Sequence, residues 1–194
     1  MKTVYKLTST TLTTHGGYQW AVGEWRETSG TGDLCSAGWL HWYSDPLLAV
    51  LLDPIHANLG PTARLWEAEA DGECRDDCGI KGGSIRLRLV RELPLPVVPQ
   101  EQRVKFGILC AQAVIGDRCL QWSAWADRWL TGKDRSEAAA WAWAAAEAAE
   151  AAMASAEAAA QKGTPRWRRQ RRRQRRRGGG RLDLPALARR AVQP

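Results

Sequence analysis

A run of arginines near the end of the sequence is its clearest chemical feature. Residues 166–177 read RWRRQRRRQRRR, so nine of these twelve residues are arginine. Each guanidinium group can donate paired hydrogen bonds to phosphate oxygens, and the Trp167 indole can stack on a base. The run therefore predicts contact with DNA, RNA or another polyanion, with steep salt dependence and little sequence preference. The residues expected to make this contact are Trp167 and Arg166, Arg168, Arg169, Arg171, Arg172, Arg173, Arg175, Arg176 and Arg177.

Three alternatives to a polyanion contact stay open for this arginine run. Repulsion among its like charges is compatible with a solvated, disordered tail that has no partner. Alternatively, the run pairs with the acidic residues of the segment before it, which are Glu147, Glu150 and Glu157. The third alternative is compositional drift, because arginine, glycine, alanine and proline all use GC-rich codons.

Two glutamates in the middle of the chain also have a spacing that can do chemistry. Glu67 and Glu69 alternate along a predicted strand and therefore share one face. Paired carboxylates at a suitable distance could hydrolyse a glycosidic bond. Arg86 and Arg88 alternate in the same way on another predicted strand, so cross-strand charge pairing is the simpler prediction.

The cysteines and histidines suggest a metal site only weakly. Cys74 and Cys78 are four residues apart, and Cys35 stands near His41. A structural zinc site usually takes four ligands in two closely spaced pairs. Because the second pair is mixed and the first is loosely spaced, we predict partly buried thiols and neither a metal nor a cofactor.

The cysteine count bears on the cellular compartment. The chain has five cysteines, an odd number, and no apolar run after Met1 has the length of a signal sequence. Reduced thiols in a cytoplasm are the simplest interpretation. The alanine-rich segment contains three glutamates and little leucine, isoleucine or phenylalanine, so we expect no membrane span.

The elements that must position these residues begin with strands. Alternation and β-forming residues predict strands over residues 3–7, 39–43, 64–70 and 84–93, and the last of these turns Arg86 and Arg88 away from the core. We therefore expect a sheet with one wet, basic face. Asp45 and Pro46 predict a short buried helix over residues 46–52, which Asp53-Pro54 should end.

The second half of the chain has a helical pattern. Pro94, Pro96 and Pro99 end the strands, and apolar spacing predicts helices over residues 101–115 and 117–130. In the second helix, Trp122, Trp125 and Trp129 share a face that is more typical of a core than of a ligand platform.

The remaining chain divides into an alanine-rich helix and a basic tail. Of the 25 residues 136–160, 16 are alanine, the best helix former. Residues 1–162 have 16 Lys and Arg against 20 Asp and Glu, a net charge of −4, whereas residues 163–194 have 12 Arg against one Asp, a net charge of +11. We predict an α+β fold with a small, mostly antiparallel sheet and a helical pair over 1–132, a long helix over 133–162 and a disordered tail over 163–194.

Three stretches of the middle third resemble an uncharacterised domain family of bacterial and bacteriophage proteins. They read LCSAGWLHWYSDPLLAVLL, ARLWEAEADGE and IKGGSIRLRLVRELPLP. The resemblance implies a bacterial or phage origin, and hence a bacterial or host cytoplasm, without implying an activity. The matching positions are Cys35, Gly38, His41, Pro46, Glu69, Gly72, Glu73, Lys81, Arg91, Glu92 and Leu93.

The stretch WLHWYSDPLLAVLL is also similar to the middle motif of ADP-ribosyltransferase-like folds. That similarity implies a catalytic trio of His15, Tyr43 and Glu92. In such an enzyme the carboxylate would stabilise or orient the ribose while the glycosidic bond breaks.

Three functional hypotheses follow. The sequence favours a non-enzymatic recognition module with a basic tail that contacts DNA or RNA. The alternatives are a nucleotide-handling enzyme of ADP-ribosyltransferase type and a protein-binding inhibitor of a host system. The sequence leaves the oligomeric state open.

Overall fold

The computed structural model describes residues 1–57, 59–77, 79–115, 120–133, 135 and 182–193. Two compact units are present, one of Met1–Phe106 with Asp183–Pro194 and the other of Gly107–Leu182. The predicted alanine-rich helix and the arginine run lie outside the described residues, apart from two residues at the start of that helix.

The first unit is built on an antiparallel sheet. Two long strands form its middle, and shorter strands and a separate two-stranded hairpin accompany them. In chain order the strands are β1 (Lys2–Thr8), β2 (Thr13–Thr14), β3 (Tyr18–Gln19), β4 (Arg26–Glu27), β5 (Leu40–Trp42), β6 (Arg64–Asp76) and β7 (Gly82–Leu93). The helices are α1 (Pro46–His56), α2 (Gln100–Ile115), α3 (Leu120–Leu130) and α4 (Leu184–Val192).

The main sheet curls until its two sides meet. Its strands run in the order β1-β6-β7-β4, and β5 also pairs with β7. Immediately after β5, Tyr43 exchanges two backbone hydrogen bonds of 2.8 Å with Tyr5 of β1. Irregular register along β6 and β7, which leaves Val90 without a cross-strand partner, adds the bending that this closure needs.

The inner face of the curled sheet holds the main apolar core. Val4, Ala68 and Leu89 are cross-strand partners and are fully buried there. Trp42 fits because its partner on β7 is Gly82, where a Cβ atom would come within 2.2 Å of the indole ring. The rest of the cluster consists of Trp20, Leu40, Trp66, Ala70 and Leu87.

Helix α1 packs against β1 and continues past the predicted stop at Asp53-Pro54. Its start is as predicted, since the Asp45 side chain accepts a hydrogen bond of 2.9 Å from the amide of Leu47. The predicted end was wrong, because a proline removes one hydrogen bond of the helix but does not oblige the helix to stop. The helix extends to His56.

The prolines after β7 do end the strands as predicted, and α2 begins at Gln100. In the second unit, Trp129 of α3 is buried, which confirms that it is a core residue. Trp122 and Trp125 are half-buried, with their ring centroids 6.2 Å apart.

The prediction of a disordered tail was wrong at residues 184–192, which form α4. Asp183 caps this helix by accepting a hydrogen bond of 3.0 Å from the amide of Ala186. Leu184, Ala188 and Ala191 recur at helical spacing and are buried. Helix α4 packs on α1 through this apolar stripe. The stripe therefore makes the segment helical, although the neighbouring sequence is dominated by arginine.

The prediction of an α+β fold with a small antiparallel sheet is confirmed. No helix in the described part of the chain is both long and apolar enough to cross a membrane.

Candidate functional site

The outer face of the sheet carries a row of ion pairs between β6 and β7. Glu69 pairs with Arg88, as predicted, whereas Glu67 pairs with Arg91, further along β7. The N···O distances are 2.7 Å for Arg88–Glu69, 2.8 Å for Arg91–Glu67, 2.9 Å for Arg86–Asp71 and 2.9 Å for Arg86–Glu27. The expected basic face is therefore wrong, because each of these arginines lies against a carboxylate of a neighbouring strand.

Glu92, one member of the predicted trio, is held by a forked contact. Both of its carboxylate oxygens accept hydrogen bonds from Arg64, at 2.9 Å and 2.5 Å. The hydrogen bond from Arg64 lowers the pKa of Glu92. The Arg64 guanidinium also lies 4.8 Å from the centre of the Trp66 ring. A ribose would have to displace Arg64 before it could use Glu92.

The other two members of the trio lie in different surroundings. Tyr43 is buried, and its pKa is raised first by burial and then by the charge of Asp53. His15 is exposed in the 3-10 turn His15–Gly17 between β2 and β3. The trio stays a prediction, and the described contacts give Glu92 and Tyr43 the structural roles of an ion pair and a core residue.

His41 lies on β5 opposite Gly83 of β7, and it is half-buried. Its Nε2 atom makes a hydrogen bond with the carbonyl oxygen of Leu34. Burial lowers the pKa of His41, and this hydrogen bond partly opposes the effect. The imidazole therefore helps to hold the loop before β5 in place.

Sequence reasoning missed Lys6, which is only 7% exposed and points into the core. Its ammonium donates a hydrogen bond of 2.7 Å to the carbonyl oxygen of His41 and lies 4.6 Å from the centre of the Trp20 ring. Within the described residues no carboxylate pairs with it, and burial lowers the pKa of Lys6 to about 7. The strand alternation that buries Val4 also turns Lys6 inward, so the sequence contained this signal.

The cysteines do not assemble a metal site in the described part of the chain. Cys35 and Cys74 are exposed, and Cys78 lies outside the described residues. Among the residues described, no group of three His, Cys, Asp or Glu side chains could hold a metal ion.

Helix α4 anchors the chain beyond the arginine run, with six residues between Arg177 and Leu184. Arg189 pairs with Asp45 at 2.8 Å, so one carboxylate both caps α1 and binds α4. From α2, Gln102 donates to the carbonyl oxygen of Val192 at 3.2 Å and Lys105 donates to that of Gln193 at 3.0 Å. An Asp cap, a proline in the first turn and spaced apolar residues were the signals for this helix.

A groove of about 280 Å³ opens beside the C-terminal half of α1. One wall is the extended segment between β7 and α2, where Val97 is 93% exposed. Asp53 of α1 and Arg103 of α2 supply the charged groups of the lining. Sequence reasoning missed this groove, because its walls come from segments far apart in the chain.

A family model described as a domain of unknown function (DUF7666) matches residues 2–101, which is more than half of the chain. The match extends from β1 to the start of α2 and thus includes the whole curled sheet. No curated protein matches the chain, and no solved structure matches it. The resemblance inferred from the sequence is confirmed at the level of an uncharacterised family, while the bacterial or phage origin stays a prediction. The chain belongs to the family described as a domain of unknown function (DUF7666).

Proposed function

We propose that this protein is a non-enzymatic recognition module whose arginine run contacts nucleic acid or another polyanion without sequence specificity. The observation that carries this proposal is the row of ion pairs on the sheet. Three carboxylates of β6, those of Glu67, Glu69 and Asp71, are engaged by arginines of β7, so they are poor partners for the arginine run.

Other carboxylates of the first unit are also engaged. Asp53 accepts hydrogen bonds from the amides of Leu59 and Gly60, both at 3.0 Å. Glu92 binds Arg64 with both oxygens. Because these described carboxylates are already engaged, the local charge excess of the arginine run favours an external polyanion, where each neutralised phosphate releases condensed counterions.

Helix α4 determines how this proposal has to be tested. A truncation after residue 162 would remove the arginine run together with α4, and α4 covers part of α1. Loss of binding by such a truncation would therefore not separate the run from the folded domain. Replacement of the nine arginines by glutamine keeps α4 and the chain length.

The experiment compares the full-length protein with this nine-glutamine variant in binding to an unrelated DNA duplex and an unrelated single-stranded RNA. Fluorescence anisotropy over a salt series gives the slope of log K against log salt. We expect a steep negative slope for the wild type, about −0.9 per phosphate contacted on duplex DNA, and a slope near zero for the variant.

The matched control replaces the same nine arginines by lysine. A charge-driven contact should survive this change with a similar salt slope, since lysine also neutralises phosphate. Equal affinity of the wild type and the nine-glutamine variant would show that the arginine run is not the binding element.

A further inference from the structure

The groove beside α1 is lined mainly by apolar side chains of the first unit. Leu7 of β1, Val50 of α1 and Val98 are buried side chains in its walls. The remaining apolar lining consists of Pro61, Ala63, Leu95, Pro96 and Val97. Its volume of about 280 Å³ suits a small molecule or a single large side chain better than a whole protein element.

The guanidinium of Arg103 adds hydrogen-bond donors to this apolar lining. Its Nε donates to the carbonyl oxygen of Val98 at 3.2 Å, and its Nη1 donates to that of Val50 at 3.0 Å. A guanidinium has five N–H donors, so these two contacts leave three. No carboxylate pairs with Arg103 within the described residues, and a guanidinium on apolar walls is the group that recognises a carboxylate.

The carboxylate in the same lining does not compete for Arg103. Asp53 is only 6% exposed, and its two oxygens accept hydrogen bonds from the amides of Leu59 and Gly60. Its charge is thus bound by the backbone turn after α1. The groove thus has apolar walls, one carboxylate whose oxygens already accept hydrogen bonds, and one cation with unused donors.

We propose that this groove binds a small amphipathic carboxylate, with its apolar part against Leu7, Val50 and Val98 and its carboxylate on Arg103. The residues that line the groove are not those of the arginine run, and the proposal does not depend on the function proposed above. Charge complementarity selects this occupant over a neutral or cationic one, because Arg103 has N–H donors that no described carboxylate accepts, whereas both oxygens of Asp53 are already hydrogen-bonded.

The test is a titration of the full-length protein with hexanoate, followed by residue-specific NMR shifts of the methyl groups of Leu7, Val50 and Val98. Residue-specific signals are needed because the arginine run also attracts carboxylates. Hexanol and hexylamine serve as matched probes with the same alkyl chain. We expect saturable shifts with hexanoate and binding about ten- to a hundredfold weaker with hexanol, since a charge-assisted hydrogen bond is lost.

Arg103 also holds α1, so the first variants are made at the rim. Val97 is 93% exposed, and its replacement should leave the fold intact. A nearby carboxylate should repel hexanoate, so Val97→Asp should weaken binding about two- to fivefold, whereas Val97→Lys should not weaken it. Arg103→Gln, checked for unchanged methyl dispersion, should abolish the preference for hexanoate over hexanol.

Three results would overturn the proposal. They are the absence of saturable groove shifts with hexanoate, equal hexanoate affinity of the Val97→Asp and Val97→Lys proteins, and hexylamine binding as tight as that of hexanoate. None of these results bears on binding by the arginine run.

Discussion

The Arg103 guanidinium donates a hydrogen bond of 3.0 Å to the carbonyl oxygen of Val50, which lies four residues before Pro54. In an α-helix this carbonyl would accept from the amide of residue 54, but proline has no amide hydrogen. Arg103 thus provides the donor that the helix lacks, from a position 53 residues later in the chain. This relationship explains how α1 continues to His56.

Replacement of Arg103 by methionine should destabilise the protein. The change leaves a buried carbonyl without its donor, and the expected cost is about 1 to 3 kcal/mol in the free energy of unfolding. The measurement is urea denaturation followed by circular dichroism.

A double-mutant cycle with Pro54→Ala tests the cause. Alanine restores an amide at residue 54, so Arg103→Met should cost less in that background, with a coupling energy of about 0.5 kcal/mol or more. Equal costs in the two backgrounds would show that Arg103 does not compensate for the proline.

Lys6 should make stability depend on pH. Burial lowers the pKa of Lys6 to about 7 in the folded protein from 10.5, so between these values the unfolded state binds one more proton. The free energy of unfolding should therefore rise from pH 7 towards pH 10, by up to about 1.4 kcal/mol per pH unit from this group. This contribution is lost as the pH falls to 7.

The check is the difference in unfolding free energy between the wild type and Lys6→Met as a function of pH. Methionine keeps the aliphatic volume without a titrating group, so the difference isolates Lys6. We expect the variant to gain most over the wild type near pH 7. A pH-independent difference would mean that the Lys6 ammonium has an ordinary pKa.

Asp45 has two separable roles, as the cap of α1 and as the partner of Arg189. An asparagine side chain can still cap the helix but cannot form the ion pair. Because Arg189 is half-exposed, Asp45→Asn should lower the free energy of unfolding by no more than about 1 kcal/mol. Asp45→Ala loses both contacts and should cost about 1 kcal/mol more.

Hydrogen exchange measured by mass spectrometry locates the effect of these changes. Asp45→Asn should lower protection in residues 184–192 and leave the start of α1 protected. Arg190→Gln is the matched control, since Arg190 is an exposed neighbour on α4. Equal loss of protection in both elements with Asp45→Asn would contradict the division of roles.

Gly82 should tolerate no side chain. A Cβ atom there would lie 2.2 Å from the Trp42 ring, so Gly82→Ala should cost several kcal/mol, about 3 or more, or prevent folding. The control is Gly107→Ala in α2, where a Cβ meets nothing within 4 Å, and this change should stabilise by about 0.5 to 1 kcal/mol. Thermal unfolding of both variants measures this difference. A similar destabilisation at the two positions would contradict the prediction.

The sequence by itself determined the features that depend on neighbouring residues. Alternation located β6 and β7 and placed Glu69 and Arg88 on one face, because strand periodicity is local. The prolines after Leu93 separated strands from helices, because a proline restricts its own backbone and that of the residue before it. A local pattern of the same kind, a capping aspartate followed by spaced apolar residues, indicated α4. The prediction gave more weight to the arginines around it.

Only the tertiary structure decided the features that depend on distant partners. The Tyr5–Tyr43 hydrogen bonds that close the sheet join segments 38 residues apart, and no local pattern encodes them. The same holds for the Arg103 donor that lets α1 pass Pro54 and for the core that surrounds Lys6. In each case the free energy of a local group is set by atoms that only the folded chain brings within hydrogen-bonding or packing distance.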